Sequence, residues 1–82
     1  MDFESHINEA TTRTRTTCTT SPTTATITTS HNTLHLNYNN NEGAMGRIHW
    51  NLTHNTTLIK AGSFEVTSTM ILADEIARLI EQ

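Results

Sequence analysis

Thr29-Ser30-His31-Asn32-Thr33 and Thr53-His54-Asn55-Thr56 set the same His-Asn-Thr motif between alternating apolar runs, and together they govern the pairing of the middle of the chain. With His31-Asn32 as a two-residue hairpin loop, Ile27 faces Leu36 and Ala25 faces Tyr38 on one side of a sheet. Asn41-Glu42-Gly43 suits a three-residue loop with glycine in the left-handed conformation, which sets Leu36 opposite Ile48 and Leu34 opposite Trp50. His54-Asn55 as the next two-residue loop puts Trp50 opposite Ile59 and Ile48 opposite Ala61. A slip of one residue in any hairpin sends its apolar set to the other face, so three turns that agree on one apolar face support one another. The middle of the chain is expected to be a four-stranded antiparallel meander.

Toward the N-terminus, residues 11–29 form a threonine tract broken once, at Ser21-Pro22. Threonine is β-branched and favours extended backbone, and proline cannot donate to a ladder. The tract therefore predicts a strand near 11–19, a break, and a second strand over 23–30. Phe3, Ile7 and Ala10 recur at helical spacing and predict a short helix over 2–10. Beyond Gly62, Phe64 and Val66 extend the last strand or lead into a C-terminal helix capped by Thr67 or Ser68. That helix carries an apolar stripe of Leu72, Ala73, Ile76, Leu79 and Ile80, with Asp74, Glu75, Arg78, Glu81 and Gln82 opposite and Asp74 and Arg78 as an i, i+4 pair. Ile71 falls outside the stripe. The fold class is α+β: an antiparallel four- to five-stranded β-meander with a C-terminal helix on one face and a short N-terminal helix. One domain spans 1–82, with an N-terminal segment over 1–10, the sheet over 11–66 and the helix over 67–82.

At 82 residues the core is thin, since a domain of this size buries roughly 60% of its extended-chain surface. Counting Gly and leaving out Tyr, the apolar fraction falls below the roughly 45–50% of ordinary globular domains, which makes a homo-oligomer a fair expectation. Threonine and asparagine fill the deficit rather than charge, which separates the chain from sequences whose net charge resists collapse. The single Cys18 has no partner for a disulfide or a Cys-x-x-Cys zinc set, so a reducing, cytoplasmic compartment is expected. No apolar run reaches the roughly 18 residues of a membrane span, and Met1-Asp2-Phe3-Glu4 lacks the basic and apolar regions of a signal peptide. Without an export signal, the acceptor patterns Asn51-Leu52-Thr53 and Asn55-Thr56-Thr57 read as accidents of composition.

On the second sheet face the same registers align His35, His49 and Lys60 across three strands, with Arg47 and Asn37 paired beside them and Asn51 near. Two opposed histidines are close enough to share a metal, but zinc needs further ligands and Lys60 adds a repelling charge, so no metal and no cofactor is expected. His31 and His54 are read as turn residues. Residues 11–64 carry Arg13, Arg15, Arg47 and Lys60 against Glu42 alone. With the Arg13 and Arg15 strand paired beside the meander, these cations and the histidines form a patch for phosphate or an acidic protein. Nucleic acid is disfavoured by the net charge of −3 and by Tyr38 and Trp50 facing the core. Threonine rows on a β surface are also the device of ice-binding proteins, but Arg13, Arg15, Cys18 and Pro22 interrupt any fixed period here.

No catalytic motif is present, and Cys18 has no flanking arginine or histidine to activate it. The expected function is that of a non-enzymatic module binding a protein partner through a Thr-rich edge strand or the open polar face, with Arg13, Arg15, His35, Arg47, His49 and Lys60 as contact residues. Small proteins of this kind are common among phage and mobile-element accessory proteins, including inhibitors. The alternative is a nucleic-acid-binding protein using the cationic face.

Overall fold

Asp2 caps the first helix by accepting a hydrogen bond from the Ser5 N–H at 3.2 Å, and Glu4 lies in the first turn, where negative charge suits the helix dipole. In the computed structural model, which describes residues 1–82, this helix α1 runs Phe3–Thr14. It continues past the expected residue 10, so Thr11 to Thr14 are helical and the strand expected over 11–19 shrinks to β1, Thr17–Thr20. The threonines are accommodated because the Thr11 and Thr14 hydroxyls donate back to the carbonyls of Ile7 (2.9 Å) and Ala10 (2.8 Å). Arg15 ends the helix in the left-handed conformation, φ 57°, with its N–H turned to the carbonyls of Thr11 and Thr12.

Strands β2 (Thr24–Thr28), β3 (Thr33–Asn39), β4 (Arg47–His54) and β5 (Thr57–Glu65) complete a five-stranded antiparallel meander in the order β1-β2-β3-β4-β5. The break at Ser21-Pro22 is the β1–β2 turn, where Ser21 Oγ accepts the Thr24 N–H at 3.0 Å. The meander is as expected, but each hairpin differs in register. The β2–β3 loop takes residues 29–32, because Thr29 Oγ1 accepts the N–H of Asn32 at 3.0 Å, so Ile27 meets Leu34 and Ala25 meets Leu36. The β3–β4 connection uses residues 40–46, with Gly43 and Gly46 at φ 77° and 98°, and brings Leu36 to Trp50 and Tyr38 to Ile48. Both slides are by two residues, which leaves every side chain on its expected face.

The last hairpin corrects the expectation in kind. Its left-handed residues are Asn55 and Thr56, φ 49° and 66°, one position beyond the expected turn, which slides the pairing by two. A β-bulge at Ile59, between the Leu52–Lys60 and Thr53–Leu58 pairs, then adds a third residue. An odd slide exchanges faces. Trp50 pairs with Gly62 and Ile48 with Phe64, not with Ile59 and Ala61; Ile59 is 54% exposed and Lys60 lies on the helix side.

Helix α2, Leu72–Ile80, buries all five residues of its expected stripe and packs beside α1. Phe3, Ile7 and Ala10 of α1 join that stripe over Ala25, Ile27, Leu34, Leu36, Ile48 and Leu52 of the sheet. The Phe3 and Tyr38 rings stack with centroids 5.7 Å apart. No side chain caps α2: Ile71 stands in that position, 64% exposed, and the expected caps Thr67 and Ser68 lie further upstream. Arg78 pairs with Glu75 at 3.1 Å rather than with Asp74, whose carboxylate instead meets Arg13 across the two helices. No helix is long and apolar enough to cross a membrane.

Candidate functional site

Because the apolar positions of β2, β3 and β4 are spent on the helices, the alternate positions build one open polar face. One row crosses four strands through Thr17, Thr28, Thr33 and Thr53 alone. The next runs Thr19, Thr26, His35, Asn51 and Ala61, and the third Thr24, Asn37, His49 and Ser63. Between these last two rows lies a shallow depression of about 570 Å³, bordered by Thr24, Thr26, His35, Asn37, His49 and Asn51 and floored on its β5 side by Ala61 and Gly62. The small side chain of Ala61 leaves space that a larger one would fill. No buried side-chain nitrogen or oxygen lacks a partner, so the unpaired donors and acceptors of this face all reach solvent.

At one end of the depression Glu42 gathers the local charge. Its carboxylate lies 3.1 Å from His49 Nε2 and 3.7 Å from Arg47 Nε, and it accepts from Asn39 Nδ2 at 2.9 Å. Arg47 also donates to Ser63 Oγ at 3.1 Å. These groups are exposed, so the cluster orients side chains more than it stabilises the fold. Glu42 offsets the charge of the face's one arginine.

The expected contact residues do not assemble as one patch. His35 and His49 share the open face but are diagonal, His35 opposite Asn51 and His49 opposite Asn37. Lys60 is turned to the helix side by the bulge, where its Nζ donates to Gln82 Oε1 at 3.0 Å. Arg13 lies on α1, exposed, between Glu9 at 3.4 Å and Asp74; the hydrogen bond to Asp74, then the Asp74, Glu9 and Glu81 charges, raise its pKa above the ordinary arginine value. Arg15 closes the same helix. The cations are thereby divided between two sides of the molecule, and only Arg47 stands on the open face. Asn37 and Asn51 are more central to the depression than any cation, a position the sequence-based register placed beside the histidines.

No group of three or more His, Cys, Asp or Glu side chains is arranged to hold a metal ion. Cys18 is half-buried on β1 with its Sγ 3.6 Å from Thr11 Oγ1 and no cation beside it. Ser63 stands opposite His49, but the nearest donor to its oxygen is Arg47, and His49 Nε2 is engaged by Glu42. Searches against protein-family models, curated proteins and solved structures find no match to this chain.

Proposed function

We propose that this chain is a non-enzymatic binding module that seats a protein partner on its open sheet face, centred on His35, Asn37, His49 and Asn51. The observation that carries this reading is the depression itself: uncharged donors and acceptors converge on it, and their unpaired groups are open to solvent. Such a surface matches the polar, hydrated contacts of transient protein interfaces, and the threonine methyls around it add apolar area without making the free protein sticky. A protein fits better than a nucleic acid because the face offers one arginine, already offset by Glu42, while Tyr38 and Trp50 lie on the opposite side and provide no stacking platform. Small size and the lack of an activated nucleophile suit an accessory or inhibitory role of the kind phages and mobile elements encode.

The test is affinity capture from the native cell with the unaltered chain and with the double variant His35→Asp, Asn51→Arg, each with and without nuclease. A protein retained by the unaltered chain, insensitive to nuclease and lost with the variant, supports the reading. The few residues that carry most of an interface's binding energy cluster near its centre and cost about 2 kcal/mol or more on truncation, so a replacement by charge at two central positions is expected to weaken retention at least about tenfold. Recovery of nucleic acid that nuclease abolishes, or retention unchanged by the variant, sinks it.

A further inference from the structure

We infer that the free edge of β5 is a seam between two copies of this chain, which pair antiparallel about a two-fold axis through Ser63 to give one ten-stranded sheet. The phase of the ladder is set by the Val66 N–H, which donates to the Gly46 carbonyl at 2.8 Å. With the alternation of an antiparallel pair, Gly62 and Phe64 then bond inward to Trp50 and Ile48, while the N–H and C=O groups of Ala61, Ser63 and Glu65 point outward without a ladder partner. A row of outward donors and acceptors at that spacing is satisfied by an extended strand.

The chemistry of β5 selects its own copy as that strand. Side chains of paired strands share faces only when the register preserves alternation, and hydrogen-bonded pairs need two outward residues, which limits the two-fold to residues 61 to 65. Centres at 64 and 65 leave Ala61 opposite residues beyond the strand, and the centre at 65 sets two Glu65 carboxylates against each other, whereas the centre at 63 pairs all three outward residues. Centres at 61 and 62 bring outward residues against the bulged Ile59, where the ladder is broken. Centred on Ser63, the pairing avoids the bulge: Ser63 meets the partner's Ser63 and Ala61 meets the partner's Glu65, each as a hydrogen-bonded pair. On the helix side Phe64 meets the partner's Gly62. That glycine is the position where a Cβ would come within 2.8 Å of Trp50 Cζ2, so the indole occupies the space above it and presents its exposed edge to the incoming Phe64 ring. Trp50 and Phe64 are both only half-buried within one copy, and the seam joins them as two symmetric aromatic contacts. Carboxylates do not oppose one another in this register, since Glu65 lies across from the small Ala61. The axis stands perpendicular to the sheet, so both open faces lie on the same side of the dimer.

Sedimentation equilibrium of the full chain over a wide concentration range tests the seam. The unaltered chain is expected to dimerise, and Ser63→Pro to be monomeric with its circular dichroism retained, because the N–H removed serves no bond inside one copy. Position 61 supplies a second test that does not depend on proline. Ala61→Lys places a cation across from the partner's Glu65 and should tighten the dimer, whereas Ala61→Glu should loosen it, each by about three- to tenfold in dissociation constant over the two pairs. A monomer at every concentration, or changes of the same sign for Ala61→Lys and Ala61→Glu, overturns the proposal. Partner capture by the open face is measured separately, and its failure leaves these outcomes unchanged.

Discussion

The two edges of the sheet are built on opposite plans. β1 is four residues long and lies under α1: Cys18 faces Thr11 from below, and the Thr20 hydroxyl donates to Glu4 of that helix at 3.1 Å. β5 is nine residues long, every position but Phe64 is exposed, and neither helix covers its outer half. A short strand under a helix offers little to a passing chain, while a long uncovered one offers a template. The domain thus covers its N-terminal edge and leaves its contact potential at the other.

Substitutions on the two sides should separate in size accordingly. The largest effect is expected from Ile76→Ala, which empties a fully buried position on α2 over the covered part of the sheet. A loss of about 2–5 kcal/mol is comparable to the whole stability of a domain this small, so thermal scans should show no cooperative transition above ambient temperature. Gly62→Ala tests the uncovered side, where the new Cβ must displace the Trp50 indole. About 1–3 kcal/mol of destabilisation is expected, together with a shift in tryptophan fluorescence. Asp2→Ala removes the cap of α1 and should cost about 0.5–2 kcal/mol by chemical denaturation. Ile59→Ala should be nearly silent, within about 0.5 kcal/mol, because its exposed side chain leaves little buried contact to lose. An Ile59→Ala cost matching that of Ile76→Ala would erase the distinction between the edges.

The contrast also explains which expectations survived contact with the structure. The α2 stripe and the apolar positions of β2, β3 and β4 were legible because burial imposes a period on them, and a period survives a slide of two residues unchanged. For the same reason the slides themselves left no trace: Ile27 reads equally well against Leu34 or Leu36. β5 was misread because Asn55 and Thr56, rather than His54 and Asn55, take the left-handed turn and because Ile59 bulges, and neither choice is marked by composition. That one strand moved Lys60 off the open face. At the other end, threonines that favour strands were captured by a helix whose carbonyls accept their hydroxyls, which carried Arg13 and Arg15 away from the sheet. The polar face was therefore legible in His35, His49, Asn37 and Asn51, whereas the charge expected on it from Arg13, Arg15 and Lys60 lies elsewhere.

The side-by-side packing of α1 and α2 carries a consequence for synthesis. Hairpins between neighbouring strands can form as each pair leaves the ribosome, but Phe3 and Ile7 find their full cover only when Ile76 and Leu79 emerge. Until then a nascent chain displays a greasy sheet with one helix on it, so the emergence of α2 is the step that commits the domain to its native state.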